Sequence, residues 1–183
     1  MITLYFYTIV DDYEASNAKS VVCHRYGSWR GLINTLSYNV HMNKNGNNLE
    51  RFVDAHTKMY EQAIHELRMG KKRSHWMWYI FPQISGLGRS GTAKFYAIRN
   101  IIEAQDYLDH PILGARLLEC TEAILDIEEP NISKVLSSPD DMKLKSSMTL
   151  FSSISPSCNI FTQVLNKYFD GDHDNNTLRL LSD

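Results

Sequence analysis

Leu49-Glu-Arg-Phe-Val-Asp-Ala-His-Thr-Lys-Met-Tyr-Glu-Gln-Ala-Ile-His-Glu-Leu67 is the stretch that decides the fold class. Apolar or half-apolar residues fall at Leu49, Phe52, Val53, His56, Met59, Tyr60, Ala63, Ile64 and Leu67. Steps of three and four place them on one stripe of an α-helix. Asn48 is the expected N-cap, Arg68 sits in the last turn, and Gly70 lies just past the end.

The same grammar continues downstream. A second helix is expected over residues 92–108. A third starts at Pro111, where a missing N–H costs nothing at the first helical position. Its stripe is Ile112, Leu113, Leu117, Cys120, Ile124 and Leu125, and Glu128-Glu-Pro130 stops it. Asn131 caps a short turn through Leu136. Ser138-Pro-Asp-Asp141 reads as cap, N1 proline and two first-turn carboxylates. The helix that follows carries Met142, Leu144, Met148, Leu150 and Phe151, until Ser155-Pro-Ser157 breaks it. Asn159 caps a last amphipathic helix with Ile160, Phe161, Val164, Leu165, Tyr168 and Phe169. Residues 170–176 read as a solvated loop, and Leu178–Leu181 as a return to the core. With no βαβ alternation and no repeat, the expected fold is all-α, a multi-helix orthogonal bundle over residues 49–183.

Upstream the pattern changes. Ile2–Val10 is β-branched and aromatic and reads as a strand. Residues 43–48 form a polar linker. Residues 1–48 are therefore expected to be an extension, either a β-rich appendage or the product of a start codon assigned too early.

The bulk properties narrow the function. The chain has 183 residues, 43% hydrophobic and 22% charged, ordinary values for one globular domain. A formal net charge of −2 gives no global field to hold nucleic acid or an anionic membrane. Lys71-Lys-Arg73 is too short a basic run to change that. No apolar run reaches membrane-spanning length. The apolar start lacks a basic n-region and a small-residue cleavage site, so no signal peptide is expected. Cys23, Cys120 and Cys158 are odd in number and widely spaced, which fits a reducing compartment and a cytoplasmic location. The seven histidines contain no H-x-x-x-H or H-E-x-x-H, and residues 170–176 lack the terminal glutamate of an EF-hand, so no metal or cofactor is expected. No G-x-S-x-G elbow occurs. Nothing in the residues sets an oligomeric state.

Three constellations could carry chemistry. Arg73-Ser-His-Trp-Met-Trp-Tyr-Ile-Phe-Pro-Gln83 gathers two tryptophans, His75 and Gln83. Trp76 or Trp78 could stack on a planar ligand, and Gln83 could read an amide or base edge. The same aromatics could equally be core packing. Gly86-Leu-Gly-Arg-Ser-Gly91 is a literal G-x-G-x-x-G before an expected helix, where backbone amides can approach phosphate. Pro82 and the absence of a second βαβ unit speak against a dinucleotide fold, leaving an anion loop through Gly86, Gly88, Arg89 and Ser90, or a turn. Third, Asp140, Lys143, Ser147 and Phe151 share a helix face. Ser146, Ser147 and Thr149 are poor helix-interior residues, which suggests either close helix contact or a polar pocket wall.

These stretches also carry a resemblance. Arg51-Phe-Val-Asp-Ala55, Lys72–Gln83, Gly86–Ser90, Glu103-Ala, Tyr107-Leu, His110-Pro-Ile-Leu-Gly114, Arg116-Leu and Ser138–Phe151 resemble a group of small helical proteins of bacteria and fungi. That group is catalogued only as a domain of unknown function, with some members labelled calpastatin. Calpastatin itself is disordered and repetitive, and this chain is neither. The resemblance implies an all-α fold over most of the chain after residue 48, with no assigned reaction. Gly91 falls outside its motif. Its matching stretches coincide with the constellations chosen on chemical grounds.

The expectation is thus a pocket for a small anionic, planar ligand, nucleotide- or ADP-ribose-like. Trp76 or Trp78 would stack, Arg73, Ser74, Arg89 and the Gly86–Ser90 loop would hold phosphate, and Gln83 would read the polar edge. Lys143, Ser146, Ser147 and Thr149 would form the facing wall. His75 with Asp140 or Asp141 would supply acid–base capacity for hydrolysis of an N-glycosidic or phosphate-ester bond. The rival reading is a non-enzymatic protein–protein interaction module, in which the aromatic stretch is core.

Overall fold

A computed structural model of the chain describes residues 4–8, 22–26 and 49–182. From residue 49 onward the described chain is helical, with nine helices. α1 (Glu50–Arg68) is the expected first helix. Its buried face carries Phe52, His56, Tyr60, Ala63, Ile64 and Leu67 of the expected stripe, with Ala55 and Glu66 added and Val53 and Met59 only partly buried. Asn48 lies outside the described residues, and Leu49 occupies the N-cap position without a side-chain bond. The far end is a Schellman motif. Lys71 N–H donates to Glu66 O at 3.0 Å and Gly70 N–H to Leu67 O at 2.9 Å, with Gly70 at φ +63°.

The expected second helix is two. α3 (Gly91–Phe95) and α4 (Ile101–Asp109) are separated because Asn100 caps α4, its side chain accepting from Glu103 N–H at 2.9 Å. Ile98 drops into the core between them and pairs with Ile84 in an isolated parallel bridge. The apolar periodicity across residues 92–108 concealed that break. α5 (Leu113–Asp126) begins after Pro111 rather than at it. His110 Nδ1 accepts there from the N–H groups of Ile112 and Leu113 at 3.2 and 3.3 Å, a capping role that an imidazole rarely signals in sequence.

α6 (Ile132–Leu136) is capped by Asn131 as expected. α7 (Asp140–Ile154) starts after a cis Ser138–Pro139 bond, and Ser138 does not cap it. The N–H groups of Asp140 and Asp141 reach Ser137 O instead, at 2.9 and 3.2 Å. α8 (Ile160–Phe169) makes no side-chain cap bond at Asn159, whose oxygen takes the Gln163 amide at 2.9 Å. The expected solvated loop ends in a helix, α9 (Asn175–Ser182), with Leu180 and Leu181 packed on the core. In the extension, β1 (Leu4–Thr8) and β2 (Val22–Tyr26) pair antiparallel, Leu4 opposite Tyr26. The linker at residues 43–48 lies outside the described residues. No described helix is long and apolar enough to cross a membrane.

A chain of rings runs through the core from α1 to α8. Phe52 meets Tyr107 edge-on at 5.0 Å, Tyr107 meets Phe151 at 5.8 Å, and Phe151 meets Phe161 at 5.6 Å. Such pairs add about 0.5–1.5 kcal/mol beyond the area they bury. The short α2 (Met77–Ile80) sits on this core against α1, α5 and α7. Its carbonyl at Tyr79 would be an orphan of the helix end. It accepts instead from Tyr107 Oη at 2.7 Å and His56 Nε2 at 2.8 Å, both buried. A carbonyl only accepts, so His56 carries its proton on Nε2; Nδ1 is buried with no hydrogen-bond partner.

Burial drives the His56 pKa from 6.5 down to about 4, against the Tyr79 hydrogen bond, which favours the charged ring. The unfolded chain therefore takes up a proton that the folded chain refuses. This contribution is complete above pH 6.5 and is lost as pH falls toward about 4. The loss is expected to reach about 3 kcal/mol. Urea melts at stepped pH check it: His56→Phe should flatten the profile between pH 6.5 and about 4, and an unchanged slope would contradict the assignment.

Candidate functional site

Glu66 organises the approach to the site. It stands on the last turn of α1, facing the chain that leaves the Schellman turn. Its Oε2 accepts from Arg73 N–H at 2.8 Å, Ser74 N–H at 3.0 Å and Trp76 Nε1–H at 2.8 Å. Its Oε1 accepts from the Ser74 hydroxyl and from Gln62 Nε2 at 3.0 Å. Burial alone would raise this carboxyl. The Ser74 hydroxyl, the two backbone amides and the indole outweigh it and hold the pKa at about 2.

The consequence is a division between the two tryptophans. Trp76 is sealed in the core with its indole N–H consumed by Glu66. Two positions on, the ring of Trp78 emerges half-buried into a cleft of about 360 Å³. The segment is pinned against α7 by a charge relay. Lys72 Nζ meets Asp140 Oδ2 at 2.6 Å, and Lys143 Nζ meets Asp140 Oδ1 at 2.7 Å. Lys143 Nζ also lies 4.4 Å above the Trp78 ring centre, a cation–π contact. Burial pushes the Asp140 carboxyl up, but the hydrogen bonds and charges of both lysines more than reverse it, and it stays below its usual range.

The first and second sequence constellations therefore share a cleft with the third. One wall of the cleft is Trp78, Gln83, Leu87, Gly88, Arg89 and Ser90; the other is Pro139, Met142, Lys143 and Ser146. Ala93 closes one end, and Asp174 and Asn176 at the start of α9 close another. Gly88 is required sterically, since a Cβ there would lie 2.3 Å from the Ala93 Cβ. Gly91 has open space around it. Among the described residues Arg89 has no carboxylate partner, while Lys143 shares Asp140 with Lys72.

Other expected site residues lie elsewhere. His75 is exposed and does not line the cleft. The side chain of Arg73 is exposed, and Ser74 is bound to Glu66. Asp141 is buried at the foot of α7, accepting from the Ser133 hydroxyl at 2.5 Å. Gly86 packs against Leu180. Ser147 is fully buried with an unpartnered hydroxyl. Thr149 Oγ1 accepts from Asp174 N–H at 2.9 Å, and Ser146 Oγ donates to Asp174 Oδ2 at 3.0 Å. The small hydroxyls of α7 thus anchor the start of α9, which is a helix-contact role; Ser146 is also pocket wall. The Gly86–Ser90 loop does not offer a free helix terminus, because Ser90 Oγ itself accepts from Ala93 N–H at 3.1 Å.

The sequence reading missed Leu87, Ala93, Pro139, Met142, Asp174 and Asn176. Asp174 carried a signal: Thr177 follows three residues later, and its N–H and hydroxyl both donate to Asp174 Oδ2, at 3.0 and 2.5 Å. That is helix-start chemistry inside what read as a loop.

The chain belongs to the family described as "Protein of unknown function (DUF1810)", whose model matches residues 46–181. It is similar to a solved structure, the conserved hypothetical protein Rv1873 from Mycobacterium tuberculosis. The two share 44% identity with a TM-score of 0.72, over 74% of this chain and 96% of that one. Among curated proteins none matches.

Replacing Glu66 by glutamine should cost about 2–3 kcal/mol, since charged hydrogen bonds to buried donors are lost. Wild-type protein should also lose stability as pH falls from 4.5 toward about 2, where the depressed carboxyl finally protonates, and Glu66→Gln should lose less over that range, because Asp140 and Glu103 still titrate in it. Thermal unfolding across that range reads both; a variant as stable as wild type at neutral pH would contradict the role.

Proposed function

We propose that the cleft between the Gln83–Ser90 wall and α7 binds a small, planar, anionic ligand of the nucleotide or ADP-ribose-like class. The observation that carries this reading is the convergence of Trp78, Gln83, Arg89 and Lys143 on one cavity. An indole supplies a stacking face that tolerates any base. The Gln83 amide both donates and accepts toward a heterocycle edge. Arg89 is a forked donor suited to phosphate, and Lys143 a point charge on the other wall. A volume of about 360 Å³ is at the small end for ligand pockets, which favours a mononucleotide-sized group over a full dinucleotide.

The support is for binding more than for hydrolysis. Asp140 is engaged by two lysines, Asp141 by Ser133 and Met142 N–H, and Asp174 by Ser146 and Thr177. His75, the expected proton carrier, does not line the cleft. A general base needs hydrogen-bond reach of the proton it removes. Catalysis would therefore require a carboxylate to leave its present partners.

Titration of the protein with AMP, ADP-ribose, UMP and inorganic phosphate, followed by thermal shift and tryptophan fluorescence, tests the reading. The expected result is stabilisation with quenching by at least one nucleotide, weakened about tenfold or more in Arg89→Ala, since a charge-assisted contact is worth about 1.5–3 kcal/mol. No shift with any of the four compounds would overturn it.

A further inference from the structure

The polar side chains that line the cleft fall into two sets, those engaged by the protein and those left open. Lys143 is engaged by Asp140, Ser90 by the Ala93 amide and Ser146 by Asp174. Among the described residues no hydrogen bond or ion pair reaches the Arg89 guanidinium or the carboxamides of Gln83 and Asn176. Asp174 belongs to both sets. Its Oδ2 accepts from Ser146 Oγ at 3.0 Å, from Thr177 N–H at 3.0 Å and from the Thr177 hydroxyl at 2.5 Å. Its Oδ1 accepts from none of the described residues. A carboxylate offers about four lone-pair sites over its two oxygens, so one oxygen is crowded while the other is idle.

That idle oxygen is held in place. Asp174 N–H donates to Thr149 Oγ1 at 2.9 Å, so the main chain and the side chain are both fastened to α7. Thr177, the buried residue of α9, adds two donors from the other side. With Oδ2 pinned and the carboxylate planar, the direction of Oδ1 is set. Oδ1 is not a buried orphan like Ser147 Oγ, so it keeps access to solvent, and the half-buried Asp174 lines the cleft. Starting α9 does not require this second oxygen, because a serine or threonine hydroxyl caps a helix with one. The partner Ser146 follows Lys143 by one turn of α7, about 5 Å. Lys143 in turn lies over the Trp78 ring. The idle acceptor is therefore tied to the same helix face as the cation over the stacking ring.

We infer that Asp174 Oδ1 accepts a ribose hydroxyl, which makes the ligand of this cleft a ribonucleotide and not a deoxyribonucleotide. The inference rests on the nucleotide-like reading of the cleft and assigns the part of the ligand which that reading leaves without a partner. Trp78 and Gln83 take the base, Arg89 and Lys143 take the phosphate, and the sugar lies between them. A negative group that only accepts repels phosphate and matches an O–H donor. Carboxylates read ribose hydroxyls in other nucleotide sites for this reason. The competing donor is a base amino group, but the base edge already has Gln83 on the other wall. The Asn176 carboxamide, which also lines the cleft, both donates and accepts and so suits the second hydroxyl of the diol. Accepting a hydroxyl at Oδ1 asks none of the present partners of Asp174 to leave, and a pinned acceptor needs no ordering when the ligand arrives.

Calorimetric titration of the full chain with AMP and UMP, each against its 2′-deoxy and 3′-deoxy analogue, tests the assignment in wild type, Asp174→Asn and Asp174→Ser. Both replacements keep a capping oxygen for Thr177 N–H. Asparagine leaves its oxygen on the three donors and puts an NH2 where Oδ1 was, whereas serine has no second polar atom. Wild type is expected to favour the ribonucleotide over at least one deoxy analogue by about tenfold or more, because the analogue leaves a charged acceptor unmatched. That preference should shrink in Asp174→Asn and disappear in Asp174→Ser. Equal wild-type affinity for a ribonucleotide and both of its deoxy analogues would overturn the ribose assignment and leave the nucleotide reading standing. Absence of binding by every nucleotide would overturn both. A variant that only loosened α9 would weaken all ligands alike and leave the ribose preference in place, and that outcome would also contradict the assignment. So would variants that change the AMP-to-UMP ratio and not the ribose preference, since Asp174 would then read the base.

Discussion

The geometry of the candidate site depends on one buried carboxylate. Glu66 gathers two backbone amides, a hydroxyl, a carboxamide and an indole onto its two oxygens. Ionised groups make the stronger hydrogen bonds, and burial makes leaving them unmade costly. The turn after α1 is therefore tied to α1 rather than free to follow the solvent. At the other end of α2, the Tyr79 carbonyl is held by Tyr107 and His56. Four helical residues held from both ends can aim a side chain more exactly than a loop could. The side chain aimed is Trp78.

The two acidic hubs use the same solution at different places. Glu66 secures residues 73–76, and Glu103 secures residues 97–99 through Arg51 and Arg99. Between them runs the segment 77–96, in which the short α2 and α3 flank a non-periodic stretch that carries much of the candidate chemistry. Its middle is fastened by backbone bonds, Ser85 N–H to Ile98 O at 2.7 Å and Ile98 N–H to Gln83 O at 2.8 Å. A non-periodic segment crossing a helical bundle needs such partners, because its amides have no ladder of their own. A buried ion pair is weak evidence for stability but is often kept because it specifies one arrangement. That reading suits Glu103 with Arg51 and Arg99, whereas Glu66 is held by neutral donors alone.

Much of this was legible in the sequence, for physical reasons that differ by element. The stripe of α1 was readable because a long helix with one buried face repeats its signal over many turns. Asn131 and Gly70 were readable because caps and αL positions restrict residue type. The break between α3 and α4 was not, because Ile98, Ile101 and Ile102 continue an apolar period that only burial distinguishes: Ile98 is core and the other two are outside. Composition singled out residues 73–91 and 138–151 separately, and only the family resemblance, which spans both, paired them. The roles inside them did not follow. Trp76 and Trp78 look alike in sequence, and only Glu66, ten residues before Trp76, separates core from cleft. Ser146, Ser147 and Thr149 likewise look like one polar wall, yet a single wall residue emerged, because α7 turns Ser147 inward and spends Thr149 on α9.

The measurement closest to the central claim is a fluorine NMR spectrum of 5-fluorotryptophan-labelled protein during titration with the same nucleotides. Trp76 and Trp78 resonances are assigned by single Trp→Phe substitutions. If the Glu66 network makes Trp76 structural and frees Trp78 for the ligand, the Trp78 signal moves on binding and the Trp76 signal stays. In Glu66→Gln the Trp76 signal shifts without any ligand. A titration in which Trp76 responds to nucleotide and Trp78 does not, or a Glu66→Gln spectrum identical to wild type, would contradict the account.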